Sequence, residues 1–480
     1  MELSELIQQR QEKLSALGKK GIAAYPSLSP KHREIIEVLN NFQEGQKVTF
    51  CGRIVAERSH GKASFVDLKD STGKIQLYFK ADILGEDRFN LFKETDLADI
   101  IAVNGELFKT RTGEASVKVE DFSILSKSLR PLPEKWHGLK DVELRYRQRY
   151  LDLLANEEVR KVFQIRSKII KAVRNFLDDK GFQEVETPMM HNIPGGAAGR
   201  PFKTQHNEYH LDLYLRIAPE LYLKRLLVGG MHKVYEINRS FRNEGVSTRH
   251  NPEFTMLEVY CAFNNYLDMM RLSEELIVHT ANQVLGKTSF TYQGKEINLN
   301  TPWAQCSFKD LVKEKFGIEP SEEEAVMLKK LQAKGFAKGN AKLSRTQISK
   351  IIEEVLEQDM GNSPVFVTDY FASLCPLAKN KAEEPLISER FELYIAGLEL
   401  GNAYSELNDP LEQKRRFQEE LKELGKEEEK ALDEDYITAL EHGMPPAGGL
   451  GIGIDRLVML LTNQPSIRDV ILFPLLRPEK

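Results

Sequence analysis

The sequence predicts an α+β protein with two strand-rich regions, a small barrel near the N-terminus and a larger antiparallel sheet flanked by helices. Three observations predict it. Residues 46–128 contain five short alternating runs, KVTFCGRIVAER, SFVDLKD, KIQLYF, DIIAVNGELFKTR and EASVKVEDFSIL, divided by turn residues such as Ser71-Thr72-Gly73 and Thr112-Gly113. Two longer alternating runs meet around a polar loop, Asn243–Asn251, closed by Pro252. Strands and helices follow one another without regular βα alternation, which disfavours a doubly wound parallel sheet.

With 480 residues, 41% hydrophobic and 29% charged, the chain can bury a large core in two or three domains. No run of about 18 apolar residues is present, so no membrane span is expected. The start, MELSELIQQRQEKL, lacks the apolar centre of a secretory signal. Cys51, Cys261, Cys306 and Cys375 lie far apart without a CxxC pair, which points to reduced thiols in the cytoplasm. The net charge of −5 does not advertise nucleic-acid binding, yet a large acidic chain can carry a local basic face.

The elements divide the chain into an N-terminal helical extension (1–45), a barrel (46–130), a linker (131–155) and a larger domain (156–480). In residues 2–20, Leu3, Leu6, Ile7, Leu14 and Leu17 form a helical stripe, with Gln9, Arg10, Lys13, Lys19 and Lys20 elsewhere. This reads as a solvated surface helix, with an RNA-backbone contact as the alternative. Five strands at the observed spacing suggest a barrel of the OB type, with any other small β-barrel as the alternative, and exposed aromatics on an OB barrel often stack single-stranded bases. Phe65, beside the Gly61-Lys62 turn, is the candidate. In the linker, Arg145, Arg147 and Arg149 alternate with Tyr146 and Tyr150, a pattern that suits either phosphate contacts or a salt-bridged seam. An amphipathic helix over 156–180 carries Val159, Val162, Phe163, Ile169, Ile170, Val173, Phe176 and Leu177, and Gly181 is placed to cap it. The strand FQEVETP follows and stops at Pro188. Residues 309–360 are rich in Lys and Glu and read as a helical surface insertion without chemistry; 411–442 is another charged helical stretch.

Side chains that carry chemistry gather in three places. In FRNEGVSTRHNPEFTMLEVY, starting at Phe241, period-2 alternation puts Phe254, Met256, Glu258 and Tyr260 on one strand face, with Arg242 able to face them across the hairpin. An apolar ring, a carboxylate, a phenol and a guanidinium together can stack a base, clamp a phosphate and hold an ammonium group. In RFELYIAGLELGNAYSELNDP (390–410), Asn402, Tyr404 and Glu406 share a face, and a turn near Ala396-Gly397 is expected to bring Glu392 and Glu399 across from each other as an oxygen site for Mg²⁺. In AGGLGIGIDRLVMLL (447–461), Gly449, Gly451 and Gly453 are two apart, which is not the spacing of a dinucleotide fingerprint. Their bare backbone admits a ligand, and Arg456 lies in the first turn of the helix that follows. Two loops complete the pocket: HNIPGGAAGRPF with Gly195 and Gly196, and RIAPELYLKRLL, where Pro219 opens a helix and Glu220 follows.

These three strings resemble, in order, motif 2, the substrate strand and motif 3 of the bacterial-type lysyl-tRNA synthetases, and the helix and strand over 156–188 resemble their motif 1. Those enzymes belong to the class II aminoacyl-tRNA synthetases, in one subgroup with the aspartyl and asparaginyl enzymes. The resemblance spans nearly the whole chain. It implies a ligase that uses ATP and Mg²⁺ to activate L-lysine as lysyl-adenylate and transfers it to tRNA(Lys). By the same resemblance Arg242 is catalytic, and Arg242, Glu244, His250, Asn251, Phe254 and Arg456 bind ATP. Gly196, Glu220, Glu258, Tyr260, Asn402, Tyr404 and Glu406 bind lysine. Glu392 and Glu399 bind metal, and Phe65, Gln76 and Glu114 read the anticodon. It further implies a homodimer formed through 156–188. The aspartyl and asparaginyl enzymes are the nearest rival reading. Their side-chain pockets need a basic or amide partner, where this chain offers Glu258 and Glu406. A non-catalytic RNA-binding relative has no need of Arg242, Glu392, Glu399 and Arg456 together.

Overall fold

The computed structural model describes residues 3–132, 139–197, 199–337, 343–357, 359–424 and 432–478. The chain forms two compact units, 1–140 and 141–480.

In the first unit five strands, Lys47–His60, Ala63–Lys69, Lys74–Lys80, Ile100–Lys109 and Ala115–Ser126, close into a barrel. Lys74–Lys80 and Ala115–Ser126 pair in parallel and every other pair is antiparallel. The inward positions of the alternating runs, among them Phe50, Val66, Leu77, Phe79, Leu107, Val117 and Phe122, are buried. Each such side chain contributes about 1.5–3 kcal/mol of apolar burial. Two short helices, Ala81–Leu84 and Glu86–Phe92, precede the fourth strand and stack Phe92 on Phe79 at 4.1 Å. The N-terminal helix Leu3–Lys19 forms as expected, but two of its basic residues are not on an open face. Arg10 is buried and donates to the carbonyls of Ser128 and Arg130, and Lys13 donates to Asp96. These cations fasten the helix to its own unit, which removes them as RNA contacts.

In the second unit an eight-stranded sheet runs in the order Ala304–Ser307, Val365–Thr368, Arg390–Ile395, Leu398–Ser405, Ala447–Gly453, Glu253–Ala262, Lys233–Phe241, Gln183–Glu184. Only the two edge pairs are parallel. Helices Glu157–Asp179, Tyr266–Leu285 and Ile454–Leu461 pack on it around Ile169, Val173, Leu276, Leu450, Ile452 and Leu457. Gly181 takes φ +78° and ends the first of these helices, with the Phe182 amide donating back to the Leu177 carbonyl. The stretch 141–155, read as linker, is helical (Val142–Arg147 and Arg149–Ala155) and belongs to this unit. Its arginines are spent internally. Arg149 is fully buried and donates to Asp152 and to the carbonyls of Leu472 and Arg468, while Tyr146 donates to Asp469. Of the two readings of that run, Arg149 fits the salt-bridged seam.

The insertion forms helices Phe308–Phe316, Glu324–Ala333 and Arg345–Glu357, whose Val312, Met327, Leu331, Ile348 and Ile352 are buried in one cluster with Val367, Tyr370 and Tyr394. It is not purely a surface feature, because one face of Arg345–Glu357 lines the cavity described next.

Candidate active site

The site is built on three neighbouring strands. Glycine strand Ala447–Gly453 runs between Glu253–Ala262 and Leu398–Ser405. Its register sets Gly451 between Glu258 and Asn402, and Gly449 between Tyr260 and Tyr404. Leu450 and Ile452 point the other way, into the core. Period-2 alternation therefore gives this strand one face without side chains. That face is the floor of a cavity of about 680 Å³ whose walls are the functional residues of the two flanking strands. A Cβ on Gly449 would lie 1.8 Å from Glu406 Oε1 and 2.8 Å from Tyr260 Cε1, so glycine is what lets those two groups enter.

One end of the cavity is acidic. Glu258 and Tyr260 are buried, and the Tyr260 hydroxyl donates to Glu258 at 2.9 Å. Burial, reinforced by Glu220, pushes the Glu258 carboxyl up to about 8 against the pull of that hydrogen bond. Glu220, in the first turn of helix Glu220–Val228, accepts from Tyr404 Oη at 2.8 Å and from Lys224 Nζ at 2.7 Å. Lys224 is fully buried and also pairs with Glu406, itself fully buried with Oε1 lacking any hydrogen-bond partner. Burial raises the Glu406 carboxyl, and the adjacent Lys224 ammonium opposes that rise. Gly196, at φ +88°, passes over this group, since its missing Cβ would stand 3.5 Å from Glu220 Cβ.

At the other end stands Arg242, just past the hairpin pairing. Its amide donates to the Pro252 carbonyl, and its guanidinium lies 5.2 Å over the Phe254 ring. Burial lowers its pKa from the ordinary value, and its Nε is enclosed without a hydrogen-bond partner. This is a cation positioned for an anion. Arg456 donates to Glu399 Oε2 at 2.9 Å and to the Glu399 carbonyl, and its other nitrogen lies 3.4 Å from His250 Nε2. Burial works upward on Glu399, but Arg456 outweighs it and holds the carboxyl below its usual range.

Glu392 and Glu399 both line the cavity, although not across from each other as expected. The turn at Ala396-Gly397 pairs Ile395 with Leu398 and so sets Glu399 opposite Tyr394, and a bulge at Leu393/Tyr394 then sets Glu392 opposite Asn402. Glu392 is buried and accepts from Tyr370, Tyr394 and Arg390. Glu353 and Glu357 of the insertion helix line the same region. The Glu353 carboxyl is pushed up to about 8 by burial and by Glu392, and its Oε1 has no hydrogen-bond partner. Carboxylate oxygens of Glu392, Glu399, Glu353 and Glu357 gather here, the donor type that suits a hard divalent ion arriving with phosphate oxygens. Among the described residues no three acidic, His or Cys side chains are grouped closely enough to hold a metal alone.

Of the residues expected in the site, Arg242, Gly196, Glu220, Glu258, Tyr260, Asn402, Tyr404, Glu406, Glu392 and Glu399 line this one cavity. Phe254 and Arg456 touch its lining through Arg242 and Glu399. His250 is exposed beside Arg456, Glu244 is exposed in the loop after Arg242, and Asn251 is buried, donating to the Glu253 carbonyl. In the barrel unit Phe65 begins a row of aromatics, 4.9 Å from Tyr78, which is 6.1 Å from Phe108. Gln76 is buried and its amide is engaged by Glu114 and Ser116, so the two residues expected to read base edges are bonded to each other.

Residues 141–477 match the family model of the class II tRNA synthetases (D, K and N), and residues 48–125 match that of the OB-fold nucleic acid binding domain. The chain belongs to the class II tRNA synthetases. Within the family it is 55% identical to a lysine–tRNA ligase of Pelotomaculum thermopropionicum, covering 100% of this chain and 96% of that protein. It is 55% identical to the lysine–tRNA ligase of Carboxydothermus hydrogenoformans, over 99% of both chains. It is 49% identical to that of Bacillus subtilis, over 99% of this chain and 98% of the relative. Sequence reasoning missed two parts of this synthetase site. Lys224 stands four residues after Glu220, the spacing that puts both on one helix face, but it reads as an ordinary helix pair. Glu353 and Glu357 were submerged in a charged stretch whose burial no local pattern announces.

Proposed function

We propose that the protein is a lysine–tRNA ligase, which activates L-lysine with ATP and transfers it to tRNA(Lys). The observation that carries this reading is the pairing of an enclosed acidic end, Glu220, Glu258 and Glu406, with an unpartnered guanidinium, Arg242, in one cavity. A lysine lying along the glycine floor sets its two ammonium groups against the acids and its carboxylate against Arg242 and Asn402. Glu258, Tyr260 and Glu406 receive the side-chain ammonium, and Glu220 with Gly196 the α-amino group. An amino acid without the side-chain ammonium leaves a buried carboxylate unpaired, at a cost of about 1–3 kcal/mol or more.

ATP fits the opposite end, with its base on Phe254, its α-phosphate at Arg242 and its triphosphate tail towards Arg456 and His250. Glu244 and Asn251 flank the loop that closes over it. Arg242 can touch both the lysine carboxylate and the α-phosphate, so it holds nucleophile and electrophile together for in-line attack and stabilises charge moving between them. Lysyl-adenylate and pyrophosphate result, and the terminal ribose hydroxyl of the tRNA then attacks the acyl carbon, breaking its bond to the phosphate and releasing AMP. Neither step needs a covalent protein nucleophile. Glu392 and Glu399 would hold Mg²⁺, which would neutralise charge on the triphosphate.

The barrel unit is assigned to the tRNA anticodon. Phe65, extended by Tyr78 and Phe108, serves as the stacking surface, and Gln76 and Glu114 exchange their mutual bond for base edges. A homodimer through 156–188 rests on the family resemblance. The apolar stripe of helix Glu157–Asp179 is spent on its own core, so exposed Met189 and Met190 are the apolar groups left at that edge. Cytoplasmic location accords with the four free cysteines and with the absence, among the described residues, of a helix long and apolar enough to cross a membrane.

ATP–pyrophosphate exchange run separately with each amino acid tests the assignment. Exchange with lysine alone is expected. Exchange with aspartate or asparagine but not lysine would refute it.

A further inference from the structure

We propose that Lys224 is a positioning residue for amino-acid selection, acting as a fixed internal cation that joins the two ends of the lysine-reading pocket. This deepens the function proposed above and rests on it. Lys224 touches nothing outside the protein. It is fully buried, one turn into helix Glu220–Val228, and its ammonium donates to Glu220 Oε1 at 2.7 Å and pairs with Glu406. The same ammonium lies 5.6 Å over the Tyr404 ring, and the Tyr404 hydroxyl holds the other oxygen of Glu220 at 2.8 Å. Glu220 is the carboxylate placed for the α-amino group and Glu406 one of those placed for the side-chain ammonium. One cation therefore fixes the separation of the two acids that the substrate must span.

The charge count points the same way. Three carboxylates, Glu220, Glu258 and Glu406, line the acidic end. The nearby Arg216 is spent on Glu236, which pairs across the hairpin from Glu258. Arg242 stands at the other end, over Phe254. Lys224 is thus the internal cation that offsets one of the three, and the other two meet the two ammonium groups of the substrate, Glu258 giving up its proton when an ammonium arrives beside it. Burying an ion pair costs desolvation that apolar packing avoids, and such pairs persist where they confer a specific arrangement. With the pair intact, a chain one methylene short reaches only one acid. With Lys224 gone, Glu406 is free to follow the shorter amine, and a third uncompensated carboxylate faces the ligand.

The test is Lys224→Met assayed by ATP–pyrophosphate exchange with lysine and with ornithine, which is shorter by one methylene. The ratio of kcat/KM for lysine over ornithine is expected to fall at least tenfold, mainly through a higher lysine KM, with the ATP KM within twofold. A merely structural role lowers both amino acids by one factor and leaves the ratio unchanged, which overturns the proposal. If the Met variant does not fold, Lys224→Gln is read in the same way. Wild-type protein gives an independent reading of the charge count. Pentane-1,5-diamine should compete with lysine at least tenfold better than pentylamine; equal competition overturns the count. Absence of lysine-dependent exchange in the wild type would instead remove the lysine assignment itself.

Discussion

Replacing Gly449 with alanine is a direct probe of the glycine floor. The glycine has no left-handed φ, so a methyl group causes no backbone strain there. What it meets is side chain: Glu406 Oε1 at 1.8 Å and Tyr260 Cε1 at 2.8 Å. Non-bonded heavy atoms settle at about 3.5–4.0 Å, so the Glu406 carboxylate must withdraw by roughly 1.5–2 Å. That distance is enough to break a hydrogen bond to a ligand ammonium. A hydrogen bond to a charged group is worth about 1.5–3 kcal/mol. At about 1.4 kcal/mol per factor of ten, the lysine KM should rise roughly 10- to 100-fold. Overpacking adds about 1–3 kcal/mol of lost folding stability. The ATP KM should stay within twofold, because Phe254, Arg242 and Arg456 are untouched. Gly401→Ala serves as the contrast: its methyl would meet the Gly451 carbonyl oxygen at 2.4 Å, so strand backbone must yield and the loss appears in thermal melting. The assay is pyrophosphate exchange at varied lysine and ATP, beside melting curves. A folded Gly449→Ala protein with a lysine KM within twofold of wild type would falsify the placement of Glu406 in the pocket.

The remaining predictions concern separate parts of the molecule. Glu258 titrates near 8 when folded, against about 4.3 in an unfolded chain, so its protonated form favours folding; that contribution is complete below about pH 4 and is lost as pH rises through about 8. Urea unfolding of ligand-free protein should show a fall in stability over that window, and Glu258→Gln should reduce the fall; an unchanged slope would place Glu258 outside the buried acidic group. Phe254→Ala should raise the ATP KM about tenfold through a stacking loss of ~1–3 kcal/mol, leaving the lysine KM nearly constant. Phe65→Ala should weaken tRNA binding by a similar factor in a filter-binding assay, with amino-acid-dependent exchange unaltered; a loss of exchange would mean the barrel does more than bind tRNA.

Much of the site could be read from the sequence because its determinants are periodic. Met256, Glu258 and Tyr260 face one cavity because alternation in a paired strand puts them on one side, and Arg242 joins them from just past the end of the pairing. Spacing by two also disclosed the bare face of 449, 451 and 453. The misreadings have a common cause. Whether a charged residue on a helix points to water or inward depends on what packs against it, and that is not local information. Arg10, Arg149 and Glu353 sit in polar stretches and Lys224 among leucines, yet the two arginines and Lys224 are buried and Glu353 lines the cavity. The turn at Ala396-Gly397 pairs Ile395 with Leu398, so Glu399 falls opposite Tyr394 and not Glu392, and the bulge at Leu393/Tyr394 moves Glu392 one residue further, to Asn402; the turn register is not fixed by alternation alone.

The strand without side chains also insulates. Glu258 and Tyr260 stand on one bank of it and Asn402 and Tyr404 on the other, with only backbone between. A side chain changed beside Gly451 has no neighbour on the strand to push across the gap, whereas beside Gly449 the banks are coupled, because Tyr404 holds Glu220 and Glu220 acts on Glu258. A scaffold divided this way can be retuned for another side chain by rewriting one bank while the other continues to hold the common part of every amino acid.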